Sequence, residues 1–354
     1  MVYILSFVFV LSILIFVHEF GHFIVARKLG IEVLKFSLGF GPKVFSFSRG
    51  GTEYILSAVP FGGYVKLLGE STDEDIPEEK IAKSFSHRRA GHKLLVVAAG
   101  PLFNIFFASL IFWVVFMTGV PVLKPSVGEV VKDSPAMRSG LKNDDIIESI
   151  NGKKMKRWED IAIIIKGEGA GSTLNLVVLR GKEKVDILLK AEDREVKNLF
   201  GETVTEPKIG IIAKGDYFVK RYNPATAMIR GIKETGKLVY LTVLTVVKLI
   251  QRVIPADSLG GPILIAQIAG DQAKQGMAPF FYFLALLSVN LGILNLLPIP
   301  ILDGGHIMMF TYEALTGRSL SMKVKGIAQQ VGLVIIITLT ILVFYNDIAR
   351  ILVK

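Results

Sequence analysis

The chain has 354 residues, 51% of them hydrophobic, and a mean hydropathy of +0.51, which is too apolar for an ordinary soluble domain. Charged residues still make up 20% of the sequence, so the chain is predicted to combine a membrane part with one small soluble domain. The chain has no cysteine, which excludes disulfides and thiolate metal sites. The net charge is +10, but the basic residues flank apolar segments and form no nucleic-acid-binding motif, so no nucleic-acid partner is expected.

The first predicted element is a transmembrane helix at residues 1–26, whose apolar run VYILSFVFVLSILIFV approaches the roughly 20 residues that cross a bilayer. A cleaved signal peptide is the alternative, but the basic start and small-residue cleavage site that it requires are missing. Residues 27–93 follow as a polar loop with 11 Lys and Arg. In this loop KVFSF, TEYILSAVP and GGYVKLL are predicted short strands, and residues 70–80 are a predicted solvated acidic tip.

The later segments complete a polytopic α-helical membrane protein with four transmembrane helices, a cytoplasmic-side β-rich loop and an inserted α+β domain. In chain order they are a second transmembrane helix at 94–120, a soluble domain at 122–214, an amphiphilic linker region at 215–278, a third transmembrane helix at 279–311 and a fourth at 329–350. Within the linker region, the uncharged core of residues 238–247 is only ten residues long, which favours an interfacial or re-entrant helix over a span.

The distribution of Lys and Arg predicts the orientation in the membrane. No Lys or Arg precedes the first helix, whereas the loop at 27–93 is rich in both, which places that loop in the cytoplasm. The soluble domain at 122–214 then lies outside the cytoplasm and the basic loop at 312–330 lies inside. Both termini are expected on the non-cytoplasmic face.

The stretch FVHEFGHF at residues 16–23 places three titratable side chains in the first apolar segment. His18 and His22 are four residues apart, which on a helix is about 40° of rotation and 6 Å of rise, so both imidazoles share one face and can bind one Zn²⁺. Glu19 then lies beside the metal and is the expected general base for hydrolysis. Because three ionisable groups in a membrane helix are costly without a partner, a bound metal is favoured over buried structural histidines.

A catalytic zinc needs a third protein ligand, and the single carboxylate of the third transmembrane segment is Asp303, in NLLPIPILDGGH. The two prolines of this stretch are expected to end the helix, and the two glycines after Asp303 to form a tight turn beside the metal. His306 is the rival ligand, and N-capping of a following helix is the alternative role for Asp303. Convergence of the ligands also requires that residues 236–254 do not cross the membrane, which agrees with their short apolar core.

Several motifs resemble those of a known family. HEFGH in the first helix, AGPLFN at 99–104 and NLLPIPILDGGH at 295–306 together resemble the site-2 intramembrane metalloproteases. The stretches FSLGFGPKVFSF at 36–47 and VPFGGYVKLLGE at 59–70, with an insert at 126–193 that resembles one PDZ domain, are similar to the bacterial regulator-of-sigma-E protease branch.

The resemblance implies a zinc metalloendopeptidase that hydrolyses peptide bonds within the membrane. The family pattern gives the zinc ligands and the base as His18, His22, Asp303 and Glu19. Asn290 and Asn295 match family asparagines that contact the substrate backbone, since an unwound helix exposes carbonyl and N–H groups that side-chain amides can bind. Interhelical hydrogen bonding is the alternative role of both asparagines. Asn104 is expected to serve in packing or in support of a metal ligand.

The resemblance also implies roles for three other segments. The glycine-rich segments 36–47 and 59–70 are implied to form a β-element that adds the unwound substrate as one more strand. The PDZ-like insert is implied to bind a peptide end or to control substrate access, with a spacer that binds no peptide as the alternative. The LGGP stretch at 259–262 matches a further family motif, for which the sequence offers no physical role.

The predicted partners are single-span transmembrane proteins as substrates, the lipid bilayer, and a peptide ligand of the PDZ-like domain. The family makes an anti-sigma factor the expected substrate of regulated intramembrane proteolysis, and remnant signal peptides the second. The predicted location is the bacterial inner membrane, with the active site towards the cytoplasm and the PDZ-like domain outside. A membrane metal transporter and a catalytically inactive PDZ adaptor are the alternatives; the single ligand cluster argues against the first and the intact Glu19 against the second.

Overall fold

The structure is a computed structural model that describes residues 1–70 and 76–352. Residues 71–75, in the stretch predicted as a solvated acidic tip, lie outside the described residues. The chain divides into two compact units, here called the helical unit and the inserted unit. The helical unit comprises Met1–Val115, Asn223–Leu249 and Pro255–Lys354, and the inserted unit comprises Phe116–Tyr222 and Ile250–Ile254.

The secondary structure alternates between the two units along the chain. The α-helices are α1 Val2–Lys28, α2 Ala90–Thr118, α3 Pro135–Arg138, α4 Trp158–Glu168, α5 Pro224–Ile250, α6 Pro262–Gln275, α7 Met277–Asn295, α8 Asp303–Thr316 and α9 Met322–Leu352. The strands are β1 Val33–Arg49, β2 Thr52–Leu67, β3 Val120–Leu123, β4 Val127–Val130, β5 Ile146–Ile150, β6 Lys153–Lys154, β7 Thr173–Arg180, β8 Glu183–Lys190, β9 Glu192–Lys197, β10 Thr203–Lys208, β11 Ile211–Ala213 and β12 Tyr217–Lys220. Short 3₁₀ helices cover Glu78–Lys83 and Ala256–Ser258.

Four helices among the described residues are long and apolar enough to cross a membrane, namely α1, α2, α7 and α9. They make the chain a multi-pass membrane protein by length and composition. The segment predicted as one third span at 279–311 is divided between α7 and the shorter α8. A turn at residues 296–302 joins them, because Pro298 and Pro300 cannot continue a helix.

The helices α1 and α2 are in close contact at Gly21 of α1. A Cβ atom added to Gly21 of α1 would lie 2.5 Å from the carbonyl oxygen of Ala99 on α2, closer than any side chain tolerates. Small residues allow such close approach of two helix backbones in an apolar medium, where dispersion contacts hold helices together. This crossing sets the distance between α2 and the HEFGH face of α1.

The predicted short strands of the 27–93 loop are joined into two long strands, β1 and β2. The first part of β1 lies between two parts of β2, because Phe36 pairs with both Tyr54 and Val65. Gly39 and Gly41 have φ angles of +88° and +85°, so the chain bends at these glycines without ending the strand. Four segments therefore lie side by side in the order 59–67, 33–40, 52–57 and 43–49.

The helix α5 extends the predicted amphiphilic stretch at 236–254 back to Pro224. It is not one of the four helices among the described residues that are long and apolar enough to cross a membrane. Small and polar residues attach it to its neighbours: Ser109 of α2 donates a hydrogen bond to the Thr235 hydroxyl at 3.1 Å, and Thr242 donates to the side-chain oxygen of Asn290 on α7 at 2.8 Å. Most of its large apolar side chains remain exposed, in agreement with a helix that faces lipid.

The LGGP stretch docks on the end of α9 through Asp347, which is 2% exposed. One carboxylate oxygen accepts a hydrogen bond from the N–H of Gly261 at 2.9 Å, and the other accepts from Ile263 at 2.8 Å and Leu264 at 3.2 Å. These N–H groups begin α6 and have no partner within that helix. A Cβ on Gly261 would lie 2.7 Å from the carboxylate, so glycine is required for this contact.

A second contact joins α9 to the turn at residues 296–302. A Cβ added to Gly332 would lie 2.9 Å from the backbone nitrogen of Ile301, so the helix backbone rests directly on that turn. Elsewhere α9 is loosely surrounded by protein, since only 6% of its most apolar window is buried.

The inserted unit is built on a four-stranded antiparallel sheet in the order β6-β5-β7-β8. Ile161 and Ile165 of α4 pack in one buried cluster with Leu174 and Leu176 of β7. Asp145, immediately before β5, is fully buried and accepts two hydrogen bonds of 2.8 Å from the Arg180 guanidinium. Burial alone would raise the pKa of Asp145, but Arg180 together with the N–H and charge of Lys142 outweighs it and holds the pKa of this carboxyl below its ordinary value.

Replacing Asp347 by Ala is expected to lower the stability of the helical unit, because three N–H groups at the start of α6 lose their buried acceptor. Loss of a helix N-cap acceptor costs about 0.5–2 kcal/mol, and we expect the upper end. The measurement is the thermal unfolding midpoint in detergent micelles together with proteolysis of the 255–262 segment.

The matched control is Tyr345→Ala in the same helix, because Tyr345 is 68% exposed. It should change neither readout. Wild-type unfolding and proteolysis in the Asp347→Ala variant would show that the docking of LGGP does not contribute to stability.

Candidate active site

Three side chains, from α1 and from the start of α8, converge on one point: His18, His22 and Asp303. The Nε2 atom of His18 lies 3.1 Å from Asp303 Oδ2, that of His22 lies 3.6 Å from Asp303 Oδ1, and the two Nε2 atoms are 3.3 Å apart. Ligand atoms placed about 2.0–2.1 Å from a tetrahedral zinc ion are about 3.3 Å from one another. The three groups therefore have both the donor chemistry and the spacing to hold one zinc ion.

The ring of His22 is fixed with Nε2 towards this point. Its Nδ1 donates a hydrogen bond of 2.9 Å to the backbone carbonyl of Val96 on α2. Because a carbonyl only accepts, the ring proton belongs on Nδ1, and Nε2 keeps its lone pair for a metal. The ring of His18 is contacted at Nδ1 by the side-chain amide of Asn104, 3.2 Å away.

The face of α2 that packs against the two histidines has room for their rings because it carries Gly100. A Cβ at Gly100 would lie 2.3 Å from Nε2 of His22 and 2.9 Å from Cε1 of His18, so any side chain there would displace both rings. Val96, Gly100 and Asn104 follow one another at four-residue spacing, which places them on one face of the helix. This stripe of α2 is the supporting wall of the cluster.

Two glycines let the chain after Asp303 fold back on the preceding turn. A Cβ on Gly304 would lie 2.1 Å from the carbonyl oxygen of Leu297, and one on Gly305 would lie 2.4 Å from that of Ile299. Asp303 is the first residue of α8, and no side-chain hydrogen bond caps this helix. Its carboxylate instead contacts the two histidines.

Glu19 lines a cavity of about 620 Å³ together with His18, His22 and Asp303. The sheet segment 59–67 forms the neighbouring wall, where Gly63, Tyr64 and Val65 face the same space. A Cβ at Gly63 would lie 3.1 Å from Cγ of Glu19, so the strand backbone passes directly beside this carboxylate.

The remaining predicted residues lie at different distances from the cluster. The amide nitrogen of Asn295 is 3.5 Å from Nε2 of His18, whereas Asn290 is engaged by Thr242 in an interhelical hydrogen bond. His306 lines the cavity and its ring stacks on Phe310 with a centroid distance of 6.2 Å. Among the described residues the metal-ligand cluster contains Asp303 and excludes this rival.

Sequence reasoning assigned Asn104 to packing or to support of a metal ligand but missed Val96 and Gly100, which lie on the same face of α2 at four-residue spacing. It also missed the partly buried ion pair between Lys93 and Glu313, with a separation of 2.9 Å, for which the sequence carries no signal. Lys93 is 7% exposed and also lies over the ring of Phe310, so it joins α2 to α8 across 220 residues of sequence.

Comparison with known proteins places these features in a family. The profile of peptidase family M50 matches residues 6–339. A protein of Agrobacterium fabrum whose name describes a zinc metalloprotease is 35% identical over 367 residues, which cover 99% of this chain and 96% of that protein. The protease RseP of Yersinia pestis is 29% identical over 447 residues and covers 98% of both chains. Among solved structures, the PDZ domain of an SdrC-like protein from Listeria innocua is similar, with 23% identity, 25% of this chain and 92% of that chain covered, and a TM-score of 0.21.

Replacing Gly100 by Ala is expected to abolish stoichiometric zinc binding, because the added methyl would occupy the position of the His22 ring. We expect purified protein with far less than one zinc per chain. The measurement is metal analysis after dialysis against a weak chelator.

The control is Gly91→Ala in the same helix, where a Cβ meets nothing within 4 Å. It should retain zinc, and alanine should if anything favour the helix. Full zinc content in the Gly100→Ala protein would mean that the histidines bind metal in a different arrangement from the one described.

Proposed function

Because the chain belongs to peptidase family M50 and is a zinc metalloprotease, we propose that it hydrolyses peptide bonds of single-span membrane proteins within the lipid bilayer. The observation that carries this proposal is the cluster of His18, His22 and Asp303 beside Glu19, on helices apolar enough to span a membrane.

We assign zinc binding to His18, His22 and Asp303. The spacing of their ligand atoms supports this assignment, and so does the Val96 carbonyl that keeps a lone pair on His22 Nε2. When bound, zinc supplies a Lewis acid that polarises the scissile carbonyl and makes water easier to deprotonate.

Glu19 is the proposed general base. Its side chain lines the same cavity as the three proposed ligands, so it can take a proton from water in that cavity. It takes a proton from that water as the scissile carbonyl is attacked, and returns it to the amine that leaves.

The substrate is proposed to enter the cavity as an extended chain. A transmembrane helix hides its carbonyl groups in internal hydrogen bonds, so it must unwind before hydrolysis. The sheet segment 59–67 offers a backbone edge beside Glu19 that can replace those lost hydrogen bonds. The amide of Asn295 lies close enough to His18 to hold a substrate backbone group at the reacting bond. Asn290 serves the substrate through its NH₂ group, while its oxygen stays with Thr242.

The membrane orientation belongs to the same proposal. The 27–93 loop carries 11 Lys and Arg, several of them next to the ends of α1 and α2, and none precedes α1, so we infer that this loop and the cavity face the cytoplasm of a bacterial inner membrane. The PDZ-like inserted unit then lies outside the cytoplasm and controls access or binds a peptide end. An anti-sigma factor or a remnant signal peptide is the proposed substrate class.

Changing Glu19 to Gln is expected to retain zinc and lose cleavage. The substitution keeps the size of the side chain and removes the proton acceptor, which in general-base catalysis contributes about 10²–10⁴-fold. The measurement is cleavage of tagged single-span proteins in co-expressing cells, with zinc content determined on the purified variant.

Asp303→Ala is the matched comparison and should lose both zinc and cleavage. A Glu19→Gln enzyme with wild-type cleavage would refute the assignment of the base. Loss of zinc in Glu19→Gln would instead move Glu19 into the ligand set.

The orientation is testable with single cysteines because the chain has none of its own. Lys182 lies in an exposed turn of the inserted unit and Glu79 in an exposed 3₁₀ helix of the 27–93 loop. A membrane-impermeant maleimide should label Lys182→Cys in intact spheroplasts and Glu79→Cys only after permeabilisation. The reverse pattern would overturn the proposed orientation while leaving the zinc site unaffected.

A further inference from the structure

The inserted unit contains a two-stranded antiparallel ribbon, β3 paired with β12, which directly follows α2. Val120 of β3 lies two residues after Thr118, the last residue of α2. The backbone N–H of Tyr222, two residues after β12, donates a 3.0 Å hydrogen bond to the carbonyl of Phe116, and the two rings meet edge to face with centroids 5.9 Å apart. Both strands are therefore held at the end of a helix that is long and apolar enough to cross a membrane.

One face of this ribbon is apolar and open. Residues that lie opposite each other in a strand pair point to the same side, so the register places Pro121, Leu123, Tyr217 and Val219 together on what is here called the ribbon face. None of these four side chains is charged, and Tyr217 and Val219 are 62% and 59% exposed. The opposite face is covered by protein, since Val122 on that side is only 8% exposed.

The ribbon face begins where α2 ends. Gly119 joins the helix to β3 with a φ of +120°, a conformation that favours glycine, so the chain bends sharply there. A Cβ atom added to Gly119 would lie 2.6 Å from Cγ1 of Val219, which shows that this side chain packs directly on the bend. The apolar face is thus held next to the end of the candidate membrane span.

The chemistry around the ribbon is that of a membrane surface. The indole N–H of Trp113, in the last turns of α2, donates a 3.0 Å hydrogen bond to the carbonyl of Pro224, and Trp and Tyr are the residues enriched at the level of lipid headgroups. Exposed cations follow both strands, Lys124 after β3 and Arg221 after β12, and cations favour the phosphates of lipids. An uncharged face with aromatic and cationic neighbours therefore matches lipid better than the charged surface of a soluble protein.

We propose that the ribbon lies flat on the bilayer surface, with the ribbon face in the headgroup layer, and so binds this part of the inserted unit to lipid. Four residues of a strand extend over about 13 Å. The headgroup layer on one side of the hydrocarbon core is only roughly 5–7 Å thick, so both ends of the face reach lipid only when the ribbon lies flat. This inference is independent of the proposed peptidase activity.

The test attaches an environment-sensitive fluorophore to single cysteines of the full-length protein, which has no cysteine of its own. Tyr217→Cys and Val219→Cys report on the two ends of the ribbon face. In vesicles of phosphatidylcholine and phosphatidylglycerol that carry a nitroxide near the headgroup, both labels should be quenched several-fold more strongly than the control. The matched control is Ile163→Cys in α4 of the same unit, a 64% exposed apolar position that should be quenched by aqueous iodide instead.

Three outcomes would overturn the proposal. Lipid quenching of both ribbon labels no stronger than that of the control would show that the face stays in water. Lipid quenching at Val219 alone would show that the ribbon stands upright on the membrane. Protection from iodide that rises with the protein-to-lipid ratio, without lipid quenching, would show that a second copy of the chain covers the face.

The wild-type protein provides a second test that does not depend on the folding of any variant. A phospholipid with a photoactivatable group near its headgroup should crosslink to residues 120–123 and 217–220, as mapped by mass spectrometry of the digested protein. Residues 158–168 in α4 are the internal control and should remain unmodified. Crosslinks to α2 without any to the ribbon would refute the proposed contact and leave the proposed peptidase function unaffected.

Discussion

The meeting of two histidines on one turn of α1 with a carboxylate from the far end of the chain is the constraint on which the structure depends. Three ionisable groups at membrane depth are tolerated when they satisfy one another or a metal. The course of the chain through α7 and the turn after it brings these groups together. The helix α7 ends at Asn295, and the turn after it delivers Asp303 next to His18 and His22.

The helix α2 holds the two histidine rings in place. One face of α2 gives a carbonyl at Val96, open space at Gly100 and an amide at Asn104. The carbonyl contacts His22, the amide contacts His18, and the glycine leaves room for both rings, so the same helix positions both side chains. A metal site needs such outer contacts to hold its ligands at the right angle.

Much of the site could be predicted from the sequence because its signals are local. Helical spacing predicts that His18 and His22 share a face, and the two prolines before Asp303 predict the break after α7. The long paired strands β1 and β2 were not predictable, because glycines that normally end strands here only bend them. The ion pair of Lys93 with Glu313 depends on which helices are neighbours, and no periodicity records that.

The loose setting of α9 has a consequence for how the site responds to its surroundings. This helix contacts the rest of the chain at the start of α6 and at the turn that precedes Asp303, and most of its apolar surface is left to lipid tails. A long apolar helix adjusts its tilt when the hydrocarbon layer becomes thinner or thicker. Because Gly332 rests on Ile301, a change in the tilt of α9 would move the turn that precedes Asp303, and the thickness of the bilayer would then act on the candidate zinc site.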